Sequence, residues 1–79
     1  MDTIRQFAIW DRPDDYPDGF VVREWLVNPG DAQPGGAEYA ATLDEARALI
    51  PAGAELVATS DPNEPKIVEV WMLRTDGVG

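Results

Sequence analysis

Apolar and polar residues alternate from Gln6 to Trp10, with Phe7 and Ile9 on one side and Gln6, Ala8 and Trp10 on the other. That two-residue period predicts a β-strand. Residues 1–5 read as a loose lead-in, although Ile4 could extend the strand. Pro13 and Pro17 cannot donate to a ladder and end the pairing. Tyr16-Pro17-Asp18-Gly19 then has turn chemistry, with proline presetting the second position. From Phe20 to Val27 β-branched and aromatic residues return, placing Phe20, Val22, Glu24 and Leu26 on one face and Val21, Arg23, Trp25 and Val27 on the other. The two runs predict a hairpin that starts a sheet. Asn28-Pro29-Gly30 stops the second strand, and the stretch 31–36, with Pro34 and the Gly35-Gly36 pair, reads as a connector.

The period changes at Thr42-Leu43-Asp44-Glu45, a capping box in which the threonine oxygen and the glutamate carboxylate satisfy orphan amides. A helix of about two turns follows, with Leu43, Ala46 and Ile50 as its apolar stripe, Leu49 beside them, and Pro51 and Gly53 as its stop. Tyr39 shares that spacing one turn upstream, but the box sets the start. Residues 54–59 predict a weaker strand and residues 66–73 a strong one, while 75–79 read as a tail. The order β-β-α-β-β predicts a single α+β domain over 1–79, an antiparallel sheet with one short helix on one face. Phe7, Ile9, Phe20, Val22, Leu26, Val68, Val70 and Met72 suit the helix side. Trp10, Trp25 and Trp71 then fall together on the opposite side with Gln6, Arg23 and Glu69.

The chemistry available is narrow. The chain of 79 residues has no cysteine and no histidine, which excludes disulfides, thiolate nucleophiles, Cys/His zinc sites and imidazole bases. Ser60 lies in a turn with only carboxylates as bases, Lys66 starts a strand, and Gly35-Gly36 lacks the lysine of a phosphate loop. The net charge of −9 repels phosphate backbones and anionic head groups, so neither nucleic acid nor a membrane surface is expected as a partner. With no apolar run near the roughly 18 residues of a membrane span and no signal-like start, a cytoplasmic protein is expected.

Two constellations remain. Large indole rings on a sheet face that one short helix cannot cover call for cover from elsewhere. Trp10, Arg23, Trp25, Glu69 and Trp71 are therefore the candidate partner-binding residues, for self-association or for another protein, with Arg23 and Glu69 able to pair across strands or across a two-fold axis. The alternative is that the connector and neighbouring side chains cover the rings. In the hairpin loop Asp11, Asp14, Asp15 and Asp18 are candidate ligands for a hard divalent cation or a small-molecule site. A calcium loop counted from Asp14 has Tyr16 third and Trp25 twelfth, where carboxylates are required. Turn formation explains these aspartates without a ligand. A non-catalytic binding protein without cofactor is the expected function, with a carboxylate-based metal or small-molecule site, or a minor enzyme built on it, as its alternative; a third is an acidic surface that imitates nucleic acid or serves as counterpart to a basic protein.

Overall fold

The computed structural model describes residues 3–75, which form one antiparallel sheet in the order β3-β2-β1-β5-β4 and one short helix. The strands are β1 (Thr3–Asp11), β2 (Phe20–Asn28), β3 (Asp31–Ala40), β4 (Glu55–Ala58) and β5 (Ile67–Thr75), and the helix α1 is Leu43–Ala48. The α+β class, the antiparallel sheet and the helix on one face are as the sequence predicts. Thr3 to Arg5, read as a lead-in, belong to β1, and Thr75 ends β5; the rest of the expected loose ends lies outside the described residues.

The stretch expected to be a connector is a strand. Asn28 pairs with Asp31 across Pro29 and Gly30, and Gly30 has φ +80, so proline and glycine occupy the two central places of a tight turn that returns the chain along β2. Between Glu24 and Trp25 the register shifts, with Glu24 opposite Gly36 and Trp25 opposite Pro34, leaving Gly35 as the extra residue of a bulge. Pro34 is tolerated because β3 is an edge strand. The proline and glycines that looked like a linker bend this edge strand, whose ladder with β2 continues on both sides of the bulge.

Thr42 caps α1 by accepting from the Glu45 amide at 3.1 Å, while the Glu45 carboxylate accepts from the Ala41 amide at 3.0 Å, one residue before the place a standard capping box uses. Ala46 is fully buried and packs with Phe7, Ile9, Val22 and Ala40. Leu43 and Ile50 close around this core, as the apolar stripe predicts, whereas Leu49 stays exposed. The helix therefore lies on the side of Phe7 and Ile9, closest to β2 and β3.

On β5 the predicted faces hold only as far as Val68. Ile67 stands opposite Trp10 on the helix-free side and Val68 packs on the core, both as expected. A bulge then intervenes, because Ile9 faces Glu69 rather than Val68. One extra residue reverses every later side chain. Glu69, Trp71 and Leu73 lie on the helix side opposite Ile9, Phe7 and Arg5, and Val70 and Met72 turn to the other side opposite Ala8 and Gln6. The placing of Val70 and Met72 under the helix, and of Glu69 and Trp71 away from it, is thus corrected.

A Cβ at Gly19 would stand 2.6 Å from the Ala40 carbonyl oxygen and 2.7 Å from Tyr16 Cε2, so the hairpin loop closes against β3 only with glycine there. Gly19→Ala should lower stability by about 1–3 kcal/mol, the range for forcing extra volume into packed surroundings. Thr42→Ala should cost about 1 kcal/mol through the lost cap. Urea midpoints at neutral pH check both, and an unchanged midpoint for Gly19→Ala would contradict the close approach.

Candidate functional site

Trp10 and Trp25 share the helix-free face, and Trp71 does not. Pairing places Gln6, Trp25 and Met72 in one row across β1, β2 and β5, with Ala8, Arg23 and Val70 in the next and Trp10, Val21 and Ile67 in a third. Trp25 is 42% exposed. The smaller residues beneath the rings are closed off, since Ala8, Val21 and Val70 are buried even though no helix lies above them. Self-covering by neighbouring side chains thus occurs in part, leaving Trp25 uncovered. A shallow depression of about 280 Å³ runs past Trp10, Trp25, Val27, Ala32, Asp61 and Ile67.

Arg23 belongs to this face but has a different partner from the one expected. Its Nη2 donates to Asp15 Oδ2 at 2.7 Å, and its guanidinium carbon lies 5.2 Å from the centroid of the Trp10 ring, an electrostatically favourable cation–π placement. The expected pairing of Arg23 with Glu69 does not form, because the β5 bulge puts Glu69 on the far side of the sheet. Two buried donors, Trp10 Nε1 and Arg23 Nε, have no acceptor within the described chain. A buried donor left unpaired costs about 1–3 kcal/mol.

Tyr39, whose spacing suggested an upstream turn of the helix, is instead a residue of β3. It stands opposite Val21 on the same face, is 55% exposed, and packs against Tyr16 with ring centroids 4.6 Å apart. The alternation of Ala37 and Tyr39 was the only available signal, and the glycine pair before it interrupts the period.

On the other side Glu69 is 6% exposed and accepts from Arg47 Nε and from Trp71 Nε1, each at 3.0 Å. These hydrogen bonds, the one from Arg47 foremost, hold its carboxyl below the ordinary 4.5 although burial opposes them. Arg47 comes from α1, so the contact joins helix to sheet. The arrangement serves structure: the carboxylate's main donors are already in place, and the Trp71 indole packs on the core.

Three of the four loop aspartates face separate cations, and the exposed Asp18 makes no ion pair among the described residues. Asp11 pairs with Arg12 at 3.1 Å, Asp14 with Lys66 at 2.7 Å and Asp15 with Arg23 at 2.7 Å. The bond and charge of Lys66 lower the Asp14 pKa. Among the described residues no group of three or more carboxylates is placed to hold a metal ion, and no helix is long and apolar enough to cross a membrane. Compared with known protein families, characterised proteins and solved structures, the chain matches none.

Because the folded state holds the Glu69 pKa below its unfolded value, its contribution to stability is present above about pH 4.5 and fades as pH falls through the lower folded value. Glu69→Gln should therefore lower the urea midpoint at neutral pH, and the gap between variant and parent should narrow on acidification below that pH. Urea titrations across the acid range measure this, and a gap independent of pH would show that the carboxylate's charge is not what matters.

Proposed function

We propose that this is a non-catalytic cytoplasmic interaction protein that holds a protein surface against its helix-free sheet face, around Trp10, Arg23 and Trp25. The distribution of charge carries the reading. In a chain with 15 acidic residues, the described residues of β1, β2 and β5 that point to the helix-free side include no carboxylate. The helix side, which ought to be the apolar one, carries Glu24 and Glu69, neutralised by Arg5 and Arg47. An antiparallel sheet with one face in water ordinarily alternates apolar-in and polar-out. Here the face without a helix is the less charged of the two, as suits a surface that is covered when the protein works.

The size of the face agrees. Nine-residue strands at about 3.3 Å per residue give roughly 30 Å of length, and five strands at about 4.8 Å spacing give roughly 20 Å of width. The resulting area of about 600 Å² is of the order of the ~800 Å² that each partner contributes to a standard interface. Trp25 and Arg23 are of the residue types that most often anchor such contacts. Either a second copy of the chain or a different protein would meet these requirements.

If the face awaits a partner, Trp25 contributes little to the fold of the free chain. Trp25→Asp should change the unfolding free energy by less than about 0.5–1 kcal/mol, as for a surface position. A loss above about 2 kcal/mol would make Trp25 part of the core and remove the reading. In the native chain, the Trp25 indole should be quenched by acrylamide in any sample that sediments as a monomer; full protection in a monomer would count equally against a docking face.

A further inference from the structure

Taking the helix-free face as a docking surface, we infer that its occupant is a different protein bearing an apolar stripe flanked by lysine or arginine, rather than a second copy of this chain. The centre of the face is uncharged apart from Arg23, which Asp15 neutralises. Its border carries two acids that no salt bridge engages among the described residues: Asp61 lines the depression beside Trp10 and Ile67, and Glu55 stands opposite Met72 on the outer strand β4. Arg74 is the cation of β5 on that side, and Asp14, at the hairpin end, is already engaged by Lys66.

Face-to-face pairing of two identical copies would bring together two chains of net charge −9, with the unengaged acids Asp61 and Glu55 outnumbering Arg74 at each border. A basic-rimmed partner turns the same charges into attraction, which raises the rate of encounter and selects against acidic competitors. The partner's centre must be apolar, because the accessible parts of these rows are chiefly the Trp10 and Trp25 indoles with Ile67 and Met72, while Ala8, Val21 and Val70 lie closed off beneath them. Lysine and arginine stems suit the border, since they cover apolar surface while their heads reach carboxylates at the rim. An amphipathic helix with basic flanks, laid along the strands, meets both conditions.

The test uses the full isotope-labelled chain and three synthetic amphipathic peptides of equal length: leucine with lysine, leucine with glutamate, and serine with lysine. The leucine–lysine peptide should shift the indole N–H signals of Trp10 and Trp25 and leave that of Trp71 in place. Its affinity should fall by about tenfold or more when sodium chloride is raised from low to several hundred millimolar, as screened rim charges require. Trp25→Ala should weaken it by at least about tenfold. Asp61→Asn combined with Glu55→Gln should leave the fold intact and flatten the salt dependence.

Equal binding of the leucine–glutamate peptide would overturn the basic rim, and equal binding of the serine–lysine peptide would overturn the apolar centre. Sedimentation of the free chain as a dimer with both indoles protected would make a second copy the occupant. Failure of all three peptides to shift either indole would overturn the docking face itself, which separates that outcome from an error about the partner's charge.

Discussion

A carboxylate can stand in an apolar layer only when donors reach it, and in this protein the main donor to Glu69 comes from the helix. Arg47 reaches across to the sheet, Trp71 adds its indole N–H, and together they hold a buried charge in place. Much else depends on that contact. It commits β5 to the orientation in which Glu69, Trp71 and Leu73 face α1, and so turns Val70 and Met72 to the opposite side. It also fixes the helix over a sheet much longer than itself, since six residues at about 1.5 Å rise span only ~9 Å. Ala46 contributes close packing there, but the ion pair supplies direction.

Once β5 is committed, the two sides of the sheet differ in kind. On the helix side, charge is admitted and paired, with Arg5 on Glu24 and Arg47 on Glu69. On the other, bulky rings lie over small buried residues, and the acids stay at the border. The asymmetry is the reverse of what a solvated sheet face normally shows, and it is why the functional reading rests on that side. The hairpin loop, with its run of aspartates, belongs to the same picture as a frame: Asp15 holds the guanidinium that lies over Trp10, and Asp14 holds Lys66.

Two of the three register shifts among the described residues of the sheet, those in β3 and β5, act through the same geometry. In β3 the extra Gly35 bends an edge strand that already carries a proline, which limits its ability to recruit further strands. In β5 the extra residue at Val68 changes which side chains meet which neighbours. The first coincides with a proline and glycine pair that breaks the alternation, whereas the second is not visible as an interruption of hydrophobicity. Val68 is as apolar as the residues around it, and the alternation of Val68, Val70 and Met72 reads as one uninterrupted stripe.

The sequence by itself determined the local elements: the hairpin around Tyr16 to Gly19, the threonine-capped helix ended by Pro51, the apolar runs of β1, β2 and β5, and the absence of imidazole and thiol chemistry. These depend on neighbours in the chain, and turn formers, caps and two-residue periods record such neighbours directly. It also placed Trp10, Arg23 and Trp25 on one face, because no bulge interrupts the β1–β2 ladder. Only the tertiary structure decided that residues 31–40 pair as a strand, that Trp71 and Glu69 leave the other candidates, and that Arg47 is the partner of Glu69. Each of these turns on a contact between residues far apart in sequence, or on a bulge whose single extra residue reverses a face without altering composition.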